Sequence, residues 1–350
     1  MKDETLNKTE KQAFKDLIKW FKRNQRNLPW RGTPSPYHVW ISEIMLQQTV
    51  VGSVIDHYKR WMTRFADVRT LSTATQGQVL RLWEGLGYYN RARNILKSAK
   101  IISDRHSGEI PSDYDDLIAL PGIGEYTASA IMSIAFNQPC PVLDANVRRV
   151  GRRILSMLKW DKEGSGKLQN YLKEAMKGNP PGLFNEALME LGQTVCIPNN
   201  PLCKECPLSE ICTAFQKNIQ NQIPVKKKQK IISKKTYLLI CLHNDGCLIE
   251  MKKKGVLEGL WRFPSARNED MVEKIIRGEI AIDFEFLEEL PERTHCYTRY
   301  RERLIPKVYR IKSKPHKTPD NQKWTKLENL SDLPFPSVYR KIIEDLCQSS

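Results

Sequence analysis

Apolar residues recur at three- and four-residue steps through the first 215 or so positions, and gather into short runs broken by turn signals beyond position 235. Ala13, Phe14, Leu17, Ile18 and Phe21 lay one apolar stripe along a helix, which predicts burial of that face. Similar stripes run through Val39 to Val51, Val79 to Leu86 and Leu183 to Val195, so the N-terminal part is expected to be all-helical. Later, the run Tyr237 to Leu242, the turn signal Asn244-Asp245-Gly246 and the run Cys247 to Met251 predict a β-hairpin. Arg299 to Lys312 reads as a further strand. Between the two textures lies QIPVKKKQKIISKK, with six lysines and one proline, expected to be a basic tether. The expected organisation is therefore a helical domain over 1–215, a linker over 216–234 and a smaller mixed α/β domain over 235–350. There is no internal repeat of fixed period.

Charge narrows the choice of partner. The 56 basic residues exceed the 40 acidic ones by 16 in 350 positions, a surplus suited to a polyanion whose condensed counterions it would release. No apolar run approaches the ~20 residues of a membrane helix, so no membrane partner is expected. The segment Met1 to Gln12 is charged and lacks an apolar signal core. A cytoplasmic protein close to the nucleoid is expected.

Cysteine placement adds chemistry. Cys196, Cys203, Cys206 and Cys212 are separated by six, two and five residues, while the other five cysteines are scattered. In a reducing compartment disulfides are disfavoured, which leaves a metal. Zinc more usually takes two C-x-x-C pairs set apart by a longer loop, whereas a compact run of four thiolates suits an iron–sulfur cluster. The spacing favours the cluster, with zinc as the alternative.

Two more strings carry possible function. Leu120-Pro121-Gly122-Ile123-Gly124 lies between helical patterns, and its glycines could turn backbone amides toward a phosphate. A Pro-Gly turn also ends many helices for structural reasons alone. Asp144, ahead of the helical run that starts near Ala145, reads by itself as an N-cap.

Together, a glycine-bearing turn, an aspartate about twenty residues later and the cysteine run resemble the helix-hairpin-helix DNA glycosylases. Within them the chain most closely resembles the adenine DNA glycosylases of the MutY family. The strings that carry this are Leu28-Pro29-Trp30-Arg31, Val39 through Thr49 (VWISEIMLQQT) and Trp83 through Asn94 (WEGLGYYNRARN). The match is dense from about Trp20 to Cys212 and thin after 265.

The resemblance implies an all-α helix-hairpin-helix domain carrying a [4Fe-4S] cluster, followed by a smaller Nudix-like α/β domain. The six-helix part would span about 30–140, and the cluster part the N-terminal helix with 141–215. Glu43 would protonate the departing adenine, consistent with the raised pKa expected of a carboxyl among Trp40, Ile41, Ile44 and Met45. Asp144 would stabilise the positive sugar, with Tyr126 and Asn146 supporting the two carboxylates. Arg26, Trp30 and Glu186 would line the pocket for the flipped base. Arg31, Leu46 and Thr49, in the same matched strings, and Gly122 and Gly124 of the hairpin would also face DNA. Gln48 and Tyr88 would sit at the opposite base, with Tyr88 as the intercalating wedge.

The position taken by tyrosine at 126 matters for reaction type. Endonuclease III-like glycosylase/lyases carry a lysine there that forms a Schiff base; Tyr126 implies a monofunctional enzyme that leaves an abasic site. The implied substrate is duplex DNA with adenine opposite 8-oxoguanine or guanine, bound by a monomer. Glu258 through Pro264 (EGLWRFP) resembles the family's C-terminal module, while the metal-binding string of a Nudix hydrolase is absent. Ala145 stands where the family commonly has glycine. Tyr297-Thr298-Arg299 stands where the family has Phe-Ser-His, with arginine able to donate to guanine-edge acceptors or a phosphate. The competing readings are a glycosylase/lyase for oxidised pyrimidines and a non-catalytic, cluster-bearing DNA-binding protein.

Overall fold

The structure is a computed structural model and describes residues 6–32, 35–225, 231–297, 299–314 and 318–349. Among the described residues twelve α-helices precede the first strand. They are α1 (Lys8–Asn24), α2 (Pro36–Leu46), α3 (Val51–Arg64), α4 (Val68–Ser72), α5 (Gln76–Leu82) and α6 (Asn90–Arg105), then α7 (Tyr114–Ile118), α8 (Glu125–Ala130), α9 (Ala145–Ile154), α10 (Lys162–Met176), α11 (Pro181–Thr194) and α12 (Thr213–Gln216). The chain divides into two compact units. The first is Met1–Thr73 with Lys97–Lys227, and the second is Ala74–Leu96 with Lys228–Ser350.

In the first unit α1 begins at a capping box, in which Asn7 Oδ1 accepts from the Glu10 amide and Glu10 accepts from the Asn7 amide. Its stripe of Phe14, Leu17 and Phe21 is fully buried against Phe184, Leu188 and Leu191 of α11 and Val147 and Val150 of α9. α2 is different: eight of its eleven residues are buried, so it lies inside the unit rather than on it. Two expected helices are shorter than their apolar stripes. α2 stops at Leu46 because Gln48 takes a left-handed φ of 56°, and α3 restarts at Val51. α5 stops at Leu82, and Gly85, Gly87 and Tyr88, all at positive φ, turn the chain.

The second unit is built on a mixed sheet of β1 (Ile232–His243), β2 (Gly246–Met251), β3 (Trp261–Arg262), β4 (Ser265–Ala266), β5 (Phe284–Glu289), β6 (Arg293–Tyr297), β7 (Tyr300–Ile311) and β8 (Gln322–Lys326). Its main order is β3-β2-β1-β7-β5, with β4 on β1, β6 on β7 and β8 on β2. β1 and β7 run parallel from Ile232 opposite Tyr300 to Leu242 opposite Arg310. The solid apolar run of β1 serves both faces. Leu238 and Ile240 pack with Phe263 and with Tyr339 and Ile342 of α14 (Ser337–Ser349), while Tyr237 and Leu239 pack with Val272 of α13 (Asp270–Ile275) and Ile276. The β1–β2 hairpin turns through Asn244 and Asp245, with Asn244 at φ 52° and Gly246 already in the strand.

The basic stretch 222–235 makes packing contacts near each end. Ile223 is buried and its carbonyl accepts from Arg153 Nε at 3.0 Å, while Ile232 to Lys235 pair along β7. Residues 226–230 lie outside the described part.

The packing of α1 on α11 gives a direct stability test. Phe184 is fully buried, with its ring 5.4 Å from that of Phe14. Phe184→Ala is expected to cost about 3–5 kcal/mol, read as a lower urea midpoint with an unchanged slope.

Candidate active site

Glu43 is the one carboxylate on the buried face of α2, 5% exposed. An ionised carboxyl in that position would have to be paired or solvated. Burial pushes its pKa up from 4.5 to about 7, against the lowering effect of a hydrogen bond donated by the Tyr126 hydroxyl, while nearby Asp144 and Glu186 push it further up. Burial and the adjacent Glu43 in turn hold the Tyr126 phenol far above its ordinary range, so Tyr126 is a donor at every working pH.

Tyr126 stands in the first turn of α8, delivered by the turn Leu120 to Gly124. Gly122 takes φ 80° there, and Ser98 Oγ donates to the Pro121 carbonyl at 2.8 Å. Asp144 is the N-cap of α9: Oδ1 accepts from the Val147 amide at 2.6 Å and Oδ2 from Asn146 Nδ2 at 2.7 Å. The capping reading of this residue is borne out by its geometry. Asn146 Oδ1 accepts from Arg149, whose guanidinium also donates to the Gly192 and Cys196 carbonyls.

These groups open on one cavity of about 540 Å³. It gathers Glu43, Tyr126, Asp144 and Asn146 on one side with Arg26, Trp30, Arg31 and Glu186, and Leu46 and Thr49 reach it as well. Gln48 is exposed at the end of α2 and does not line it, nor do Gly122 and Gly124.

The principal residue that sequence reading missed is Glu190, which has no exposed side-chain surface. It accepts from Arg26 Nε at 2.7 Å, Arg26 Nη2 at 2.8 Å and Arg31 Nη2 at 2.8 Å. Burial alone would raise its pKa, but these donors hold it at about 2. Four residues earlier on the same helix face, Glu186 is raised by burial, with Arg31 opposing and Glu190 assisting. The signal was available as two glutamates one turn apart on α11 and two arginines, 26 and 31, needing partners.

The four thiols Cys196, Cys203, Cys206 and Cys212 are free of disulfides and close enough to influence one another's ionisation. Burial pushes the Cys206 thiol up to about 12. Arg153, fully buried, donates to Cys196 Sγ at 3.2 Å and to the Ile197 and Pro198 carbonyls. Among the described residues no group of three or more metal-binding side chains is arranged to hold a metal ion. The donor set, four reduced thiols with a cation beside them, suits soft iron.

In the second unit Tyr88, 43% exposed, lines a cavity of about 710 Å³ together with Tyr297 and Arg299; Thr298 lies outside the described residues. Arg91 lies over the rings of Trp83 and Tyr88, at 5.1 and 5.6 Å, and donates to the Leu86 and Gly87 carbonyls.

A family described as "HhH-GPD superfamily base excision DNA repair protein" matches residues 41–177, and a NUDIX domain matches 236–345. The adenine DNA glycosylase of Buchnera aphidicola (subsp. Schizaphis graminum) is 33% identical over 338 residues, 94% of this chain and 96% of its own. The chain belongs to the adenine DNA glycosylase family. The mouse adenine DNA glycosylase is 40% identical over 223 residues, 60% of this chain and 43% of its own. A thermostable thymine-DNA glycosylase structure superposes with a TM-score of 0.55 at 25% identity, covering 60% of this chain and 98% of that one. The enzyme is thus a base-excision repair hydrolase of N-glycosyl bonds, with a helical helix-hairpin-helix part and a Nudix-like sheet part. No helix among its described residues is long and apolar enough to cross a membrane.

Two predictions come from this geometry. Unfolded, Glu43 ionises near 4.5; folded, it ionises near 7. Below 4.5 both states hold the proton; between 4.5 and 7 only the unfolded state has released it, so the folded state loses on the order of 3 kcal/mol over that window, and the loss levels off above 7. Glu43→Gln in the glycosylase is therefore expected to be more stable than the parent at pH 8 and nearly equal to it at pH 4.5, by urea unfolding at both. The second concerns Gly192, where an added Cβ would lie 2.6 Å from Asn146 Cβ and 3.2 Å from its backbone. Gly192→Ala must push α11 from α9 and displace Asn146. It is expected to cost about 1–3 kcal/mol and to slow base release under single-turnover conditions.

Proposed function

We propose that the enzyme removes adenine opposite 8-oxoguanine or guanine in duplex DNA, hydrolyses the glycosidic bond without cutting the strand, and leaves an abasic site. The observation that carries this is the pairing of two carboxylates in different surroundings inside one cavity: Glu43, buried with a pKa of about 7, and Asp144, held by two N–H donors. Unequal environments divide acid from charge-stabilising work.

In this reading the adenine leaves the stack and enters the cavity between Trp30, Arg31 and Glu186. Glu43 gives its proton to adenine N7 as the C1′–N9 bond breaks and its electron pair departs with the base. Asp144 faces the positive sugar, held by Asn146. Water adds at C1′ and its proton returns to a carboxylate. Tyr126 donates to Glu43 and, as a phenol, offers no amine for a Schiff base.

The four cysteines would hold a [4Fe-4S] cluster, whose contribution would be to tie down the 196–212 segment that Arg149 and Arg153 grip. Residues 1–215 would make the catalytic part and 235–350 the reader of the opposite base, through Tyr297, Thr298 and Arg299, with Tyr88 as wedge, Gln48 at the opposite base and Gly122 and Gly124 on phosphate. A monomer near the nucleoid suffices for one-lesion chemistry.

The test is single-turnover adenine release from duplexes with adenine opposite 8-oxoguanine, guanine, cytosine or thymine, with and without later alkali. Strand breaks are expected only after alkali, fastest opposite 8-oxoguanine, with rates falling about tenfold per pH unit above 7. Glu43→Gln is expected to bind the mismatch and release no base. A borohydride-trapped covalent adduct on the adenine substrate would favour the glycosylase/lyase reading instead.

A further inference from the structure

The turn that carries Tyr88 is braced from inside. Trp83, fully buried, donates its indole N–H to the Gly87 carbonyl at 3.0 Å. Arg91 donates to the Leu86 and Gly87 carbonyls, both at 3.1 Å, while lying over the Trp83 and Tyr88 rings. These bonds fix the shape of residues 83–91. They do not fix where the turn points, which depends on what holds its two ends.

Ahead of the turn, within the same unit, the holder is Arg340 of α14. Its Nε donates to Glu84 Oε1 at 2.5 Å and its Nη2 to Glu84 Oε2 at 2.8 Å, a two-pronged pair with the side chains 21% and 17% exposed. The same guanidinium donates to the Leu330 carbonyl at 2.8 Å and to the Leu333 carbonyl, and lies 5.5 Å from the centre of the Phe335 ring. Arg340 is thus held by its own surroundings as well as by Glu84. A solvated ion pair between two mobile chains contributes little, whereas a shielded fork whose arginine is already oriented gives up less freedom to form. Beyond the turn Arg93 of α6, 6% exposed, donates to the Glu258 carbonyl and to Asn90 Oδ1 at 2.9 Å. Next to Glu258, Gly259 at φ 79° lies so near α5 that an added Cβ would stand 2.7 Å from Gln76 Nε2 and 3.2 Å from Leu80 Cδ1. Glu84, Arg93 and Arg340 do not line the cavity of Glu43 and Asp144.

We propose that Arg340 is a positioning residue for Tyr88: through Glu84 it sets the direction of the turn, so that Tyr88 meets the duplex together with Tyr297 and Arg299, with which it lines one cavity. This rests on the reading of Tyr88 as the wedge at the opposite base. Loss of either partner leaves the turn its shape and frees its direction.

The experiment follows single-turnover adenine release over a range of enzyme concentrations, from a duplex with adenine opposite 8-oxoguanine and 2-aminopurine beside the 8-oxoguanine. It yields a half-saturating concentration, a saturating rate and a fluorescence rise that reports unstacking. The full chain is compared with Glu84→Ala, Arg340→Gln, the double variant and Tyr88→Ala, with thermal midpoints measured to confirm folding. Each single clasp variant is expected to raise the half-saturating concentration about tenfold, to lose most of the fluorescence rise and to keep the saturating rate within about twofold, and the double variant to do no more than either single one. Charge alone predicts the reverse for Glu84→Ala, since removing a carboxylate should tighten binding to a polyanion. A folded Glu84→Ala that binds as tightly as the parent or more tightly would overturn the proposal. So would an unchanged fluorescence rise, or additive losses in the double variant. If Tyr88→Ala matches the parent in binding and fluorescence, the wedge reading itself fails and the proposal falls with it.

Discussion

A carboxyl carried into the middle of an apolar helix is the constraint around which the first unit is arranged. α2 is buried on nearly every side, and among the described residues Glu43 accepts a hydrogen bond from the Tyr126 hydroxyl and forms no ion pair. That contact requires α8 to begin opposite α2, which in turn requires the tight turn at Gly122. The cation that could have neutralised Glu43 is engaged elsewhere. Arg31 is committed to Glu190 and lies over the Phe21 ring, so it lowers the Glu43 pKa only as a minor influence. Moving Arg31 toward Glu43 would give a stable ion pair and a carboxyl too acidic to hold a proton near neutrality. Stability and the proposed acid role pull in opposite directions here.

Glu190 makes that separation possible. A fully buried carboxylate accepting from two arginines ties the segment after α1 to α11 and fixes one wall of the cavity, while Glu186, one turn away, stays at the cavity surface. Both glutamates share the same arginine neighbourhood and end with opposite shifts, because Glu190 receives hydrogen bonds from both guanidiniums and Glu186 has only a 3.6 Å approach from Arg31. Hydrogen bonding to the charged form, rather than proximity of charge alone, decides in which direction each of two neighbouring acids is shifted.

How much of this the sequence disclosed depended on whether a signal was local. The stripe of α1, the hairpin at Asn244-Asp245 and the strand from Tyr300 are local, and their residues pack as periodicity implied. The ends of α2 and α5 were misjudged because apolar spacing continued past residues whose backbone leaves the helix, at Gln48 and at Gly85 to Tyr88. Of the cavity, ten residues that the family resemblance pointed to converge on it, five from the matched strings (Trp30, Arg31, Glu43, Leu46 and Thr49) and five from outside them (Arg26, Tyr126, Asp144, Asn146 and Glu186). Glu190 and Arg153 were not legible. Each looks like an ordinary surface charge in sequence, and each is buried through partners more than forty residues away.

Asp144 joins the two halves of the first unit's chemistry. Its Oδ2 is held by Asn146, Asn146 by Arg149, and Arg149 by the Cys196 carbonyl, so a chain of hydrogen bonds runs from the cavity to the cysteine segment. α9 can approach α11 closely enough for this only because residue 192 has no side chain. A segment of irregular chain such as 196–212 has little secondary structure to keep the Cys196 carbonyl in place. Four thiols on one cluster would supply that rigidity without touching substrate. The cost of losing the cluster would then fall on the orientation of Asp144 before it reached Glu43, whose partners, Tyr126 and the apolar side chains of α2, lie outside the chain of bonds.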